Sequence, residues 1–175
     1  MKFERSEAVA LLERTPAVLR SLMQGLPDAW LSANEGPDTF SPREVVAHLI
    51  HGERTDWVPR VRRILEDGEA VAFEPFDRRG HAAHGERSVT ELLDEFEALR
   101  GASLAQLREL VRADDALDRT GRHPAFGRVT LRELLAAWVV HDLTHLAQIA
   151  RVMARRYEGD VGPWVEYLGI LQWRR

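Results

Sequence analysis

Apolar residues recur at helical spacing along most of this 175-residue chain. One stripe predicts a first helix over about residues 5–26, with an interruption at Pro16. A second helix begins at 41–44, where Ser-Pro-Arg-Glu combines a capping box with a proline at the first helical position. Pro59 predicts a bend in this helix, and Gly68 predicts its end.

Two more segments carry the same start signal, in which a serine or threonine is followed three residues later by glutamate. Ser88 opens a predicted third helix, and Thr130 opens a fourth that runs to about Tyr157. Loops rich in Gly, Pro and polar residues separate the four helices at about 26–38, 69–87 and 113–129, and strand signals are weak. We therefore predict an all-α protein, a four-helix bundle with long inter-helix loops.

The bundle is expected to form a single domain over residues 1–175, because compact domains usually span about 100–200 residues. Two of the loops are long enough to cross the bundle or to cover a site. The aromatic tail over 162–171 is expected to pack back on the helices.

The amino-acid composition excludes several kinds of functional site and partner. The chain has no Cys, which excludes disulfides, thiolate metal sites and a cysteine nucleophile, so any metal must be held by His, Asp or Glu. A net charge of −4 and a pI near 6.0 argue against a nucleic-acid partner. The sequence contains neither an apolar run of about 20 residues nor the apolar stretch of a signal peptide. We expect a cytoplasmic protein that does not bind membranes.

The fourth helix carries the candidate chemistry. His141 and His145 are four residues apart, so their imidazoles lie on one helical face and can converge on one metal ion. Two buried imidazoles need two partners, and a cation supplies both; the alternative is a pair of hydrogen-bonded core histidines. The same stripe continues through residues that should face the bundle interior: Leu134, Trp138, Gln148 and Val152.

A third ligand is available in the second helix. His48 lies on an inward stripe with Gly52, which would let a neighbouring group approach closely, and His51 is nearby. His48, His141 and His145 would form a three-histidine site built by two helices. Such a site leaves one coordination position open, as catalytic sites do, whereas a fourth protein ligand such as His51 or Asp142 would indicate a structural site.

Three neighbours of these histidines have open roles. Asp142 occupies the place of Glu in an H-E-x-x-H motif and is a weak candidate for a catalytic base; the alternatives are a residue that orients a ligand or one on the helix surface. Glu44, one turn before His48, either supports that ligand or completes the capping box. Gln148, one turn beyond His145, could hydrogen-bond a ligand, a substrate or another helix.

Other candidates carry less weight. His81 and His84 form a rival pair in a predicted loop, and His123 lies in a predicted turn that could overhang the site. Aromatic and basic residues could also line a substrate pocket, although core packing and solvent exposure are the more common roles; these residues are Phe73, Phe76, Trp138, Arg78, Arg79 and Arg122.

Two segments together resemble a known family. The segment 39–49 (TFSPREVVAHL) and the segment 138–149 (WVVHDLTHLAQI) are similar to those of the DinB-like, YfiT-type superfamily of metalloenzymes. The resemblance covers nearly the whole chain, and the family's ligand pattern falls on His48, His141 and His145. It implies an antiparallel four-helix bundle, a homodimer, and a divalent metal such as nickel or zinc.

The resemblance leaves the reaction open. Some relatives transfer or isomerise with a low-molecular-weight thiol as partner, and others are assigned as hydrolases. A metal held by three neutral imidazoles would lower the pKa of a bound water toward about 7 or deprotonate a bound thiol. We predict thiol transfer to a small electrophile, with a metal-dependent hydrolase or a non-catalytic metal-binding stress-response module as the alternatives.

Overall fold

A computed structural model describes residues 2–80 and 87–173 of the chain. These residues form α-helices, two 3-10 helices and one antiparallel hairpin. The α-helices are α1 (Arg5–Leu12), α2 (Thr15–Met23), α3 (Asp28–Leu31), α4 (Pro42–Thr55), α5 (Trp57–Glu66), α6 (Val89–Leu110), α7 (Leu131–Arg155) and α8 (Gly169–Gln172). The 3-10 helices are Asp114–Asp118 and Gly162–Tyr167, and the strands are β1 (Thr120–His123) and β2 (Gly127–Thr130).

Six of the α-helices build the predicted four-helix bundle. Bundle helix 1 consists of α1 and α2, bundle helix 2 of α4 and α5, and α6 and α7 form bundle helices 3 and 4. Both prolines predicted to interrupt a helix do so. Pro16 lies in the first turn of α2, after a break at 13–14, and Pro59 follows a break at Asp56. Pro59 has no N–H to donate to Thr55, and its ring crowds that carbonyl, so the helix breaks just upstream.

Two pairs of consecutive bundle helices lie diagonally opposite each other. Bundle helix 2 packs against helices 3 and 4, and bundle helix 1 packs against the same two. Helices 1 and 2 are therefore diagonal partners, as are helices 3 and 4. The connections over 24–41 and 111–130 must cross the ends of the bundle, which accounts for their length.

The helix termini follow the sequence signals. Ser41, Ser88 and Thr130 each accept a hydrogen bond from the backbone N–H three residues on, and the glutamate at that position closes a capping box. Gly68 ends the second helix with a φ of +59°, where its N–H donates to the carbonyl of Arg63.

Three expectations need correction. The stretch after bundle helix 1, predicted as loop, contains the short helix α3, and the predicted loop 113–129 contains the β1–β2 hairpin. Its strands have four residues each and are mainly polar, so they show no alternating apolar signal. In the tail Leu171 is buried, but Trp164 and Tyr167 are 69% and 84% exposed, so most of its aromatic surface does not pack on the helices.

The core consists of two apolar clusters. The first is centred on Trp57 and Trp138, and the second on Phe96. Each bundle helix also contributes a buried polar side chain to one hydrogen-bonded network, and we call these four residues the polar layer: Thr15, Glu53, Arg100 and Asp142. Within the described ranges, every helix is too short or too polar to cross a bilayer.

Candidate metal centre

Three histidine side chains converge at the level of the polar layer. His141 Nε2 lies 3.2 Å from His48 Nε2 and 3.2 Å from His145 Nε2. Among the described residues, these three form the one group of potential metal ligands whose ligand atoms all lie within 4.8 Å of one another. The i, i+4 spacing on α7 places two of them one turn apart, and the packing of α4 on α7 brings His48 to the same point.

The separations suit a metal ion. Nitrogen ligands about 2.0–2.1 Å from a tetrahedral zinc ion lie about 3.3 Å from one another. Hydrogen bonding among the rings satisfies the geometry less well, because the single proton on a neutral imidazole can serve only one of the two neighbours of His141 Nε2. Three neutral imidazoles directed at one point therefore fit a divalent cation.

The second nitrogen of His145 is held by a neighbour. His145 Nδ1 lies 2.9 Å from Gln148 Oε1, and because an amide oxygen only accepts, Nδ1 donates and Nε2 is left as an acceptor. That is the tautomer that metal ligation through Nε2 requires. His141 Nδ1, in contrast, is buried with no hydrogen-bond partner among the described residues.

The surroundings keep the ligands uncharged. Burial lowers the pKa of His141 to about 3, and the nearby His145, His48 and Arg100 act in the same direction. Burial also lowers the pKa of His145, opposed by the hydrogen bond with Gln148 and by the charge of Asp142. Neutral imidazole is the form that binds a metal, so His141 is ready to bind well below neutral pH.

The polar layer supports the site from the bundle interior. Arg100 donates to Glu53 Oε1 at 2.8 and 3.0 Å, to Asp142 at 2.6 and 3.1 Å, and to the carbonyl of Leu12 at 2.9 Å. Burial alone would lower the pKa of Arg100, but the two carboxylates raise it. One side chain of bundle helix 3 thereby joins the other three helices, including both that carry histidines.

Asp142 lies inside this layer. It is 2% exposed, and its oxygens accept from Arg100 and, at 2.7 Å, from Thr15 Oγ1. The helix-surface alternative for Asp142 is therefore wrong. Its role as a catalytic base stays a weak prediction, because both oxygens are engaged by the layer.

Glu44 serves the helix start. Its Oε2 accepts from Ser41 N and Oγ, which is the capping alternative considered for it. Glu44 also lines a cavity of about 910 Å³, together with Phe40, Arg78 and Arg79.

A second cavity, of about 600 Å³, reaches His141. His141 lies in its wall together with Trp57 and Phe76, whose rings supply apolar surface. The Phe76 ring lies edge-on to His48 at 5.5 Å, and Trp57 packs edge-on to His141 at 5.1 Å. A small molecule bound there would meet the candidate ligand directly while the aromatic rings exclude water.

Two charged residues of this cavity neutralise each other. Asp56 and Arg60 form an ion pair at 2.7 Å, and burial raises the pKa of Asp56 and lowers that of Arg60. Gly52 lines the same cavity. A Cβ added to Gly52 would lie 3.3 Å from Trp57 Nε1. The neighbour that Gly52 admits is thus the Trp57 indole.

The loop before α4 is fastened to α7. Glu35 is buried and accepts two hydrogen bonds from Arg151, at 2.7 and 2.8 Å, and one from Arg155 at 2.7 Å. The bond from Arg151 lowers the pKa of Glu35. These ion pairs hold the segment that ends at Phe40, whose ring lies 5.5 Å from the His48 ring. No local sequence signal predicts these long-range ion pairs.

The remaining candidates are dispersed. His51 contacts Phe76 and the backbone at Gly80 and is not in the ligand cluster. His123 lines the 600 Å³ cavity from the tip of the hairpin. Phe73 and Trp138 are core residues, Arg122 is exposed, and His81 and His84 lie outside the described residues.

The chain is similar to known proteins over most of its length. The profile of the DinB superfamily matches residues 11–149. YfiT of Bacillus subtilis is 27% identical over 164 residues, covering 88% of this chain and 86% of YfiT. OB0782 of Oceanobacillus iheyensis is 22% identical and covers 86% of this chain and 87% of its own. The names of both relatives propose a metal-dependent hydrolase.

Solved structures show the same fold. The structure of YfiT, described as a four-helix bundle of unusual topology, superposes with a TM-score of 0.73 at 25% identity and covers 89% of each chain. The four-helix bundle protein TT2238 superposes with a TM-score of 0.53 at 25% identity, over 82% of this chain and 95% of its own. With the profile match over most of its length, this chain belongs to the DinB superfamily.

Proposed function

We propose that this protein is a metal-dependent hydrolase of small molecules and that His48, His141 and His145 hold a divalent ion. One observation carries the proposal: His141 Nε2 lies 3.2 Å from Nε2 of both His48 and His145, and His141 lies in the wall of a cavity of about 600 Å³. A structural site would be closed by a fourth protein ligand, and the described residues add none to this cluster. The hydrolase names of YfiT and OB0782 support the same reaction class.

When bound, a divalent ion with an open coordination position supplies hydroxide near neutral pH and positive charge beside a developing oxyanion. The chain supplies the remaining conditions. Burial keeps His141 neutral, and Gln148 fixes the tautomer of His145. Trp57 and Phe76 exclude water from the cavity wall and offer apolar surface to a substrate.

Zinc and nickel are the expected ions, because imidazole suits both and binds them more tightly than manganese or iron. A low-molecular-weight thiol partner and a homodimer stay predictions. We place hydrolysis before thiol transfer because both named relatives point to it, whereas thiol transfer rests on the family resemblance alone.

The test uses untagged protein stripped with a chelator and reloaded with zinc, nickel or manganese. Release of p-nitrophenol from a panel of esters is followed with and without added 2-mercaptoethanol. We expect turnover that requires metal, does not require thiol, and is lost in His145→Ala but kept in the matched control His51→Ala. Turnover unaffected by metal removal would overturn the proposal, and turnover that needs the thiol and forms its adduct would establish thiol transfer instead.

A further inference from the structure

The β1–β2 hairpin brings a second histidine, in addition to His141, to the 600 Å³ cavity. His123 is the last residue of β1 and pairs with Gly127 across the turn. Its side chain and that of His141 lie in the wall of the same 600 Å³ cavity. His123 is not in the cluster of potential ligands, so its function must differ from theirs.

The hairpin is a rigid support. Gly121 lies so close to the core that an added Cβ would stand 2.7 Å from Ile64 and 3.0 Å from Phe73. Phe73 N donates to the Arg122 carbonyl at 2.9 Å, which fastens β1 to the loop that carries Phe76. Close packing and a backbone hydrogen bond therefore fix the position of His123 relative to the bundle.

The tautomer of His123 follows from its hydrogen bonds. Its Nδ1 lies 3.1 Å from Ala125 N and 3.2 Å from Phe126 N. A backbone N–H can only donate, so Nδ1 accepts both bonds and the proton of the neutral ring resides on Nε2. Burial and the charge of Arg60 lower the pKa of His123, which favours this neutral form.

Two aromatic rings hold the imidazole in place. Phe126 stacks on it at 4.3 Å and 13°, and Phe73 meets it edge-on at 6.1 Å. This contact gives a role to Phe126, which is 78% exposed and would otherwise be an isolated apolar residue on the surface. The ring is thus oriented by two hydrogen bonds and two aromatic contacts before any ligand binds.

We propose that His123 is a catalytic residue whose Nε2–H donates a hydrogen bond to the carbonyl oxygen of a substrate bound in the cavity. The inference rests on the proposed hydrolase function and deepens it. In hydrolysis the oxygen of water bonds to the carbonyl carbon, the acyl bond to the leaving group breaks, and that group departs with a proton. His123 keeps its own proton throughout and stabilises the negative charge that develops on the carbonyl oxygen.

The cavity also indicates the class of substrate. Trp57, Phe76 and Phe126 present aromatic surface, and the charges of Asp56 and Arg60 cancel. Arg78 adds a further cation to the same wall. Such walls suit an ester or amide that has a flat apolar group and is either uncharged or negatively charged. Its carbonyl oxygen would face His123 while the apolar group packs on the rings.

The decisive variant is His123→Asn. The asparagine side-chain oxygen can accept the same two backbone N–H bonds and preserve the turn, but its shorter amide removes the donor from the cavity. Arg128→Ala is the matched control, since Arg128 lies on the other strand of the hairpin and is exposed beside Glu69. Zinc-loaded protein is used throughout, and zinc affinity is measured for each variant.

Three readouts decide the proposal. Nitrogen-15 NMR of histidine-labelled protein should show the proton of His123 on Nε2. Benzohydroxamate, titrated calorimetrically, should bind about tenfold more weakly to His123→Asn than to wild type or Arg128→Ala. With p-nitrophenyl benzoate, kcat should fall about 100-fold in His123→Asn with little change in KM, as for loss of one oxyanion donor.

A proton on Nδ1, or benzohydroxamate affinity and kcat in His123→Asn equal to those of wild type, would overturn the role of His123. Failure of the hydrolase proposal gives a different pattern. If zinc-loaded wild type cleaves no ester, the hydrolase proposal fails. The hydroxamate titration still tests His123 in that case, because an affinity unchanged in His123→Asn would show that His123 donates no hydrogen bond to the bound ligand.

Discussion

Arg100 donates two hydrogen bonds to Asp142, at 2.6 and 3.1 Å, and so holds the residue that lies between two candidate ligands in the sequence. Asp142 adjoins His141, and Arg100 also holds Glu53 on the helix that carries His48. The spacing between the two histidine-bearing helices is therefore fixed by one buried cation.

The Arg100→Met variant should be strongly destabilised. Removing the cation leaves Glu53 and Asp142 buried without their partner, and breaking a buried ion pair in this way usually costs about 3–5 kcal/mol. The free energy of unfolding is measured by urea denaturation of the metal-free protein. Arg108→Met is the control, because the exposed pair of Arg108 with Glu13 should contribute less than about 1 kcal/mol. Equal losses in the two variants would contradict a bracing role for Arg100.

Gln148→Leu should weaken metal binding without unfolding the protein. The variant loses the acceptor that fixes the tautomer of His145. We expect metal affinity to fall about 10- to 100-fold, as is typical when such a partner is lost. Zinc affinity is measured by competition with a chromophoric chelator. Gln148→Glu keeps an acceptor oxygen and should keep the affinity. If Gln148→Leu binds zinc as wild type does, the hydrogen bond does not support the site.

The metal-free protein should lose stability as the pH falls below about 6.5. The pKa of His141 is about 3 in the folded chain against 6.5 when unfolded, so between these values only the unfolded state takes up the proton. His141 alone should cost about 2 kcal/mol between pH 7 and pH 5, and the lowered pKa of His145 acts in the same direction.

Urea denaturation at both pH values gives the size of this effect. His141→Leu removes the titrating group and serves as the control, so its loss of stability between pH 7 and pH 5 should be smaller. An equal loss in both proteins would show that His141 is not responsible.

Gly121→Val should displace the hairpin. The added atoms would overlap Ile64 and Phe73, and overpacking of this kind usually costs about 1–3 kcal/mol. Gly101→Ala is a matched glycine control, because an added Cβ there meets nothing within 4 Å and the helix gains from alanine. Thermal unfolding compares the two. A Tm for Gly121→Val at or above that of wild type would contradict the close packing of β1.

Local signals predicted most of the bundle. Each capping box is encoded within four residues, as at Ser88 and Glu91, and each proline break follows from one ring. The convergence of His141 and His145 is equally local, since helical periodicity alone puts them on one face. Helical periodicity does not place His48 beside them, because its position depends on the packing of α4 against α7.

The polar layer and the hairpin could not be placed from local signals. Arg100 lies four residues from both Phe96 and Leu104 on an apolar stripe, which marks it as buried but does not name its partners. Arg100 reaches Asp142 only because both side chains extend into the interior between the diagonally opposed helices 3 and 4. The hairpin depends on the glycine packing at Gly121, a tertiary contact that strand propensity does not report.

The most direct test of the central claim is the metal content of untagged protein, purified without a nickel column and measured by elemental mass spectrometry. We expect about one zinc or nickel ion per chain in wild type and in His51→Ala, and none in the His141→Ala/His145→Ala double variant, which should stay helical by circular dichroism. A folded wild-type protein that takes up no zinc, nickel or manganese even after their addition would contradict the account.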